Sequence, residues 1–180
     1  MTSQVVANVA RMVGLFFAGI FAGFLVTVLV LEATLRRYDA SVYTQVRHVE
    51  LVHLDDLATA LLAPALLATA VLIAVTIRSR AAGFWWTAAG LVLLVAVLVT
   101  TLVVNLPINA DQLGWAVPAP PADWAQVRDR WQVAHAVRTG AAVIAFACLI
   151  RAGSFRGREG ASSVRDRAGV DERRASSMNH

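Results

Sequence analysis

The sequence contains four long apolar runs, separated by short segments that hold most of the charged residues. The first run extends from Met12 to Leu31, the second from Leu57 to Ile77 and the third from Ala81 to Ala110, each without a charged side chain. Each run contains the roughly 20 residues that a helix needs to cross a hydrocarbon core about 30 Å thick. The three runs therefore predict membrane-spanning helices.

The fourth apolar run is too short to cross a membrane unless its polar beginning is included. Thr139 to Ile150 gives a charge-free stretch of only about 18 Å as a helix. A spanning helix must therefore begin near Trp131 and carry Arg138 into the membrane. An arginine at mid-bilayer costs roughly 2.5–3.5 kcal/mol on insertion scales. We expect Arg138 to need a partner, with Glu32 and Asp56 as the candidate carboxylates.

The composition is typical of a membrane protein, and it argues against a nucleic-acid-binding protein and against cysteine-based sites. Of 180 residues, 58% are hydrophobic and 16% are charged, a larger apolar share than soluble domains have. The net charge is +4, but the arginines lie in loops and the C-terminal segment rather than among exposed aromatics, which argues against a nucleic-acid partner. Cys148 is the single cysteine, which excludes an intrachain disulfide or a cysteine metal cluster.

We therefore predict an all-α fold, an integral membrane four-helix bundle over residues 1–151. The predicted helices cover about residues 9–33, 54–78, 83–106 and 128–151. Residues 152–180 are rich in Arg, Ser and Gly, and such a composition predicts a disordered, solvated tail.

The distribution of arginine predicts the orientation. Ten arginines lie in the N-terminal segment, the loop between the second and third helices and the C-terminal tail, against five in the other two loops. Positive charge is enriched in cytoplasmic loops, so we expect both termini in the cytoplasm. The abundance of Ala, Val and Arg is typical of a GC-rich bacterial genome, so we expect a bacterial cytoplasmic membrane.

This topology gathers the polar intramembrane residues at the outer end of the bundle. Asn105-Leu-Pro-Ile-Asn109 closes the third helix. Trp131, His135 and Arg138 open the fourth helix at spacing i, i+4, i+7 and so share one stripe. Polar side chains inside a membrane are costly and usually functional. We expect these residues to line one outward-opening cavity, together with Glu32 and His53.

The Asn-x-Pro-x-Asn run, the tryptophan-containing stretch after it and His135-Ala-Val-Arg138-Thr139 resemble the anthrone oxygenase-like (DUF1772) family of small four-helix membrane proteins. The resemblance covers roughly residues 12–151. It implies an oxidoreductase that uses dioxygen to oxidise an apolar aromatic substrate, an anthrone, to a quinone within the lipid bilayer and without a bound cofactor.

The resemblance suggests roles for the polar residues. His135 would remove a proton from the acidic methylene of the anthrone as a general base. Arg138, with Asn105 or Asn109, would stabilise the anthrolate oxygen as a preorganised donor. Trp131 would stack on the polycycle. Glu32 and His53 complete the predicted substrate-binding set.

The same residues also allow a structural interpretation, and the sequence leaves both open. Asn105 and Asn109 can simply cap a helix that ends around Pro107. Trp131 is typical of an interfacial aromatic belt, and His135 of a hydrogen-bonded helix end. In this interpretation the chain is a non-enzymatic accessory subunit or a small-molecule binding or export component.

A metal site is a further alternative. Glu50-x-x-His53 has the i, i+3 spacing of di-iron carboxylate bundles, but those sites use two such motifs and this chain has one. A mononuclear site built from His53, His135 and Glu32 is geometrically possible. We expect no cofactor as the first prediction, with a bound metal ion as the alternative.

Overall fold

A computed structural model of the chain consists of helices joined by short connections. The structure describes residues 2–77 and 83–177, and the side-chain surroundings of residues 3–77 and 83–154. Within this part of the chain the elements are α1 (Thr2–Leu35), α2 (Ala40–Thr76), α3 (Phe84–Thr100), a π-helical turn (Thr101–Asn105), α4 (Leu106–Leu113) and α5 (Trp124–Ser177).

Within the described residues, four segments are long and apolar enough to cross a membrane, which confirms the predicted all-α architecture. They are Ser3–Leu35, Ala40–Thr76, Phe84–Leu113 and Trp124–Ser154. Between 22% and 44% of the apolar window of each segment is buried inside the bundle. Most of the apolar surface therefore faces outward, which is expected where lipid rather than water surrounds the helices. Length and composition thus indicate an integral membrane protein.

Small side chains pack the middle of the bundle. The buried core there contains Ala18, Phe21, Ala22, Leu25, Ala65, Leu94, Val97, Ala142 and Ala145. Membrane helices gain little from excluding lipid from one another, so close backbone approach through small residues supplies the packing energy. This part of the core is apolar and rich in alanine, and the buried polar side chains described below lie at one end of the bundle.

Gly83 lets the start of α3 lie close to the backbone of α5. A Cβ atom built on Gly83 would lie 2.5 Å from the carbonyl oxygen of Ala152. Because this neighbour is backbone, a larger residue at position 83 would push the start of α3 away from α5.

The second helix begins earlier than predicted, at Ala40 rather than near residue 54. The Asp39 side chain caps it by accepting a hydrogen bond from the Val42 N–H at 3.0 Å, an arrangement that stabilises a helix start. The segment that we predicted as an outer loop is therefore helical. It carries Arg47, which we counted as a loop arginine, into the interior, where the side chain is buried.

The third span also extends further than predicted, to Leu113 rather than residue 106. Pro107 has no N–H and its ring conflicts with the carbonyl four residues earlier in a regular helix. The π-helical turn before it relieves this conflict, and the Leu106 N–H reaches the Thr101 carbonyl oxygen five residues back. The helix therefore continues through Pro107 instead of ending there. Such π turns frequently occur at functional sites.

The last helix, α5, continues to Ser177, into the segment for which composition predicts a disordered tail. A chain that leaves a formed helix can extend it without a new nucleation step. The cytoplasmic location of the segment 152–180 stays a prediction, and residues 178–180 lie outside the described residues.

Candidate functional site

Buried polar side chains gather at the end of the bundle where α1 ends and α5 begins. We call this end the polar end and the side chains the polar cluster. The cluster contains Glu32, Tyr43, Arg47, Glu50, Asn105, Asn109, Gln112, Trp131, Gln132, His135 and Arg138, all of them buried. All four spans contribute to it, so the cluster exists only in the folded bundle.

Arg47 lies at the centre of the polar cluster. Its guanidinium donates from Nε to Gln112 Oε1 at 2.9 Å, from Nη1 to Glu32 Oε1 at 3.1 Å and Glu50 Oε2 at 2.6 Å, and from Nη2 to Asn109 Oδ1 at 2.9 Å. One cation thus pairs with two buried carboxylates. Because the guanidinium presents its donors as a rigid planar fork, it can satisfy acceptors from three helices at once.

Sequence reasoning missed Arg47, although a signal was present. Tyr43, Arg47 and Glu50 are spaced i, i+4, i+7 and share one face of α2, and all three are buried. Recognising this stripe required knowing that α2 begins at Ala40. The buried carboxylate of Glu32 also needed a cation, and we assigned Arg138 to it instead.

Asn109 links three elements through its amide. Its Nδ2 donates to both carboxylate oxygens of Asp55, at 3.0 and 2.9 Å. Its Oδ1 accepts from Trp131 Nε1 at 2.6 Å and from Arg47. Asn109 is therefore more than a cap for the third helix, because its hydrogen bonds join α4 to α2 and α5.

Trp131 is buried rather than placed in an interfacial belt. It is 2% exposed, and its ring stacks on the His135 imidazole with centroids 4.8 Å apart and an interplanar angle of 9°. The Arg47 guanidinium carbon lies 4.2 Å from the centroid of the Trp131 ring, close enough for a cation–π contact. The indole thus connects the Arg47 group to the His135 group.

His135 and Arg138 form a second, separate pair. Arg138 Nε donates to His135 Nδ1 at 3.0 Å, and His135 Nε2 lies 3.0 Å from the Leu25 carbonyl oxygen. Since a guanidinium can only donate, Nδ1 must accept, and the ring proton is assigned to Nε2. The partners therefore define a neutral imidazole. Arg138 Nη1 also donates to the Thr101 hydroxyl at 3.2 Å.

The predicted pairing of Arg138 with Glu32 or Asp56 is wrong. Glu32 binds Arg47, and its backbone carbonyl and Oε2 each accept from Gln132 Nε2 at 2.9 Å. In the described part of the chain Arg138 makes no ion pair with a carboxylate. The two buried arginines therefore differ, since Arg47 is neutralised by carboxylates and Arg138 is held by neutral acceptors.

Six of the seven predicted site residues meet in the cluster, and the seventh does not. His53 lies on an exposed position of α2 and makes no hydrogen bond to the described residues. Asn105 is completely buried, and its Nδ2 donates weakly to the Trp131 carbonyl at 3.4 Å. The Oδ1 of Asn105 has no hydrogen-bond partner among the described residues.

The structure does not assemble the predicted alternative metal site. Glu32 and Glu50 both bind the Arg47 cation, and both nitrogens of His135 have partners. Among residues 3–77 and 83–154, whose side chains the structure describes, no group of three or more His, Cys, Asp or Glu side chains is arranged to hold a metal ion.

Two depressions flank the polar cluster at the bundle surface. A groove of about 850 Å³ lies between α5 and the segment formed by the π-helical turn and α4, with Val104 and Val137 on its walls. A smaller recess of about 170 Å³ lies between α1 and α5, where Glu32, Gln132 and Ala136 line it.

These features define a class of protein, a four-helix membrane bundle with a buried tryptophan–histidine–arginine centre. The sequence model of the anthrone oxygenase family matches residues 52–148, more than half of the chain, and the chain belongs to this family. No curated protein and no solved structure matches it. Members of the family generally act without a cofactor.

Proposed function

We propose that this chain is a membrane-embedded oxidoreductase that uses dioxygen to convert an anthrone-like aromatic substrate into the corresponding quinone. The observation that carries the proposal is the contact between His135 Nδ1 and Arg138 Nε at 3.0 Å. It brings a proton acceptor and an oxyanion-stabilising cation to adjacent positions inside the segment that matches the family.

The neutral state of His135 suits the role of a general base. Its Nε2–H donates to the Leu25 carbonyl, which fixes the ring and leaves Nδ1 as the basic atom. Arg138 covers Nδ1 in the absence of substrate. When the substrate oxygen takes over the guanidinium as its hydrogen-bond donor, Nδ1 becomes available to accept a proton.

The chemistry balances without a cofactor. His135 takes one proton from the methylene carbon, and Arg138 stabilises the negative charge on the anthrolate oxygen. The carbanion form of the anthrolate transfers electrons to dioxygen and forms a C–O bond, and protonation gives a hydroperoxide. Loss of the remaining proton from that carbon, with cleavage of the O–O bond, yields the quinone and one molecule of water.

The competing proposal is a non-enzymatic membrane protein whose polar cluster is structural. The network around Arg47 favours it, since the guanidinium uses four of its five N–H donors to join α1, α2 and α4. We assign this structural role to the Arg47 network and the chemical role to the carboxylate-free pair His135–Arg138.

The proposal is tested with purified protein in detergent micelles, an anthrone as substrate, and two readouts, oxygen uptake and quinone absorbance. Protein-free micelles provide the rate of spontaneous oxidation. We expect His135→Gln and Arg138→Gln to lower kcat by about 10²-fold or more, since a general base contributes about 10²–10⁴-fold. Arg138→Lys should retain part of the activity because it keeps the charge.

Val9→Ala, on the lipid-facing surface of α1, is the control that should oxidise the anthrone like wild type. Wild-type rates equal to those of protein-free micelles would refute the enzymatic function and favour the structural one. Full turnover by His135→Gln and Arg138→Gln, with an active wild type, would refute only the assigned roles.

We further propose that the protein resides in a bacterial cytoplasmic membrane with both termini in the cytoplasm, as the arginine distribution predicts. In a Cys148→Ser background, a cysteine introduced at Asp123 in the exposed loop before α5 would then react with a membrane-impermeant maleimide in intact cells. Labelling only after lysis would place the polar end in the cytoplasm.

A further inference from the structure

The larger groove lies beside α5, the helix that carries both residues of the proposed catalytic pair. Its wall positions on one side belong to the π-helical turn and α4, and on the other side to α5. Val103, Val133 and Val137 on these walls are between 62% and 68% exposed. Exposed valines on membrane-spanning helices face lipid, so the groove opens sideways into the bilayer.

The groove residues alternate with residues of the polar cluster along both walls. Val104 precedes Asn105, and Ala134 and Val137 flank the positions of His135 and Arg138. The hydrogen bond from Arg138 Nη1 to Thr101 Oγ1, at 3.2 Å, joins the same two elements. Thr101 follows the groove residue Thr100, and Arg138 follows the groove residue Val137, so this hydrogen bond lies next to both walls of the groove.

Asn105, which follows the groove residue Val104 in sequence, has an unused hydrogen-bond acceptor. Asn105 is completely buried and its Oδ1 lacks a partner among the described residues. Buried acceptors are normally paired, so a donor that reached Asn105 Oδ1 would be favourable there. Arg138 provides the opposite capacity, since its neutral partner Thr101 can be exchanged for an oxygen atom that carries negative charge.

We propose that this groove is the binding site and lateral entrance for a planar polycyclic ketone, which arrives from the bilayer and whose oxygen replaces both Thr101 Oγ1 and His135 Nδ1 as the hydrogen-bond acceptor of Arg138. This inference rests on the proposed function and adds the route and the binding surface. The occupant follows from the walls, since valine, isoleucine and alanine suit flat apolar rings and Arg138 suits one oxygen at the edge.

The dimensions and the charge of the groove agree with this occupant. A volume of about 850 Å³ lies within the roughly 300–1,000 Å³ of small-molecule sites. The groove is also lined by Asp129, which pairs with Arg36, and by Arg130, an exposed cation that can lie over an aromatic ring. Substrate and dioxygen are both more soluble in lipid than in water, so entry from the bilayer keeps water out of the site.

Two alanines on α5 provide a matched test. Ala134 lines the groove, whereas Ala136 lines the smaller recess on the α1 side. The full-length protein in micelles is assayed for KM and kcat with an anthrone and, separately, for the Kd of an anthraquinone, which binds without being oxidised. We expect Ala134→Phe to raise both KM and Kd at least about tenfold, or about 1.4 kcal/mol, and to change kcat less.

Ala136→Phe should leave KM and Kd within about twofold of wild type. If Ala134→Phe is not recovered in a folded state, Val137→Phe replaces it, because Val137 is 62% exposed and its enlargement disturbs no packed neighbour. Unchanged KM and Kd for the groove variant, or a stronger effect of Ala136→Phe, would overturn the groove assignment.

The two proposals fail in different ways. Suppose that wild type binds anthraquinone and Ala134→Phe does not, while wild type oxidises no anthrone. That result would support the groove as an aromatic binding site and refute the enzymatic function. If wild type oxidises anthrone and Ala134→Phe is indistinguishable from it, the function stands and the groove falls. A wild type that neither binds nor oxidises these compounds overturns both.

Discussion

Replacing Arg47 by methionine should remove the main source of cohesion at the polar end of the bundle. Methionine keeps an unbranched side chain of similar length, so the change removes the charge and the donors with little loss of packing. Glu32 and Glu50 would remain buried without their cation, which binds them at 3.1 and 2.6 Å.

The expected size of the effect follows from burial. The side chains of Arg47, Glu32 and Glu50 are 3%, 0% and 6% exposed, so water cannot replace the lost partner. Breaking a buried ion pair by removing one member costs about 3–5 kcal/mol, and we expect Arg47→Met to lose that much unfolding free energy. The exposed pair Arg36–Asp129, at 52% and 46% exposure, should contribute about 0–1 kcal/mol.

The unfolding free energy is measured by denaturant titration in mixed micelles, with tryptophan fluorescence as the signal. Trp131 lies 4.2 Å from the guanidinium of Arg47 and reports on the region directly. Arg36→Met is the matched control and should stay within about 1 kcal/mol of wild type. Glu32→Gln in the Arg47→Met background removes one of the two carboxylates that have lost their cation. It should therefore restore part of the lost unfolding free energy.

A loss below about 1 kcal/mol for Arg47→Met, equal to that of Arg36→Met, would refute the reasoning, because the pair would then behave as a solvated one. A double variant that is additive with the two single changes would refute the direct coupling of Arg47 and Glu32, since contacting residues couple by about 0.5–3 kcal/mol.

Two further predictions concern packing and hydrogen bonding. Gly83→Ala should lower the thermal midpoint in micelles because its Cβ would lie 2.5 Å from the Ala152 carbonyl oxygen, whereas Gly23→Ala, with no atom within 4 Å of the added carbon, should not lower it. Equal midpoints for the two variants would contradict the close approach. Trp131→Phe removes the 2.6 Å hydrogen bond to Asn109 and should lower the unfolding free energy by at least the ~0.5–1.5 kcal/mol of one net hydrogen bond. An unchanged denaturation curve would show that this bond does not contribute.

Part of the candidate site was predictable from local spacing. Trp131, His135 and Arg138 fall on one helical stripe, and the length of the fourth apolar run requires Arg138 to enter the membrane. These arguments use only periodicity and length, and the three side chains do contact one another. The same reasoning placed Glu32, Asn105 and Asn109 at that end, and they lie in the cluster.

The partners of these residues were not predictable in the same way. We paired Arg138 with Glu32, but the partner of Glu32 is Arg47, which is fifteen positions away in sequence and belongs to a segment that resembles a loop. A polar helical segment gains its order from tertiary hydrogen bonds, and local propensity alone does not reveal them. His53 was included for its position in sequence and lies on the exposed side of α2.

The sequence by itself determined the class of the protein, the number of spans and the end at which the polar residues gather, because apolar length and charge position are properties of single segments. Only the tertiary structure decided which arginine is neutralised by carboxylates and which is held by a histidine and a threonine. That choice depends on the register between helices and on the π turn before Pro107, since a shift of one residue rotates a side chain by about 100° around its helix. The division between an arginine bound by carboxylates and one bound by neutral acceptors is therefore a property of the assembled bundle.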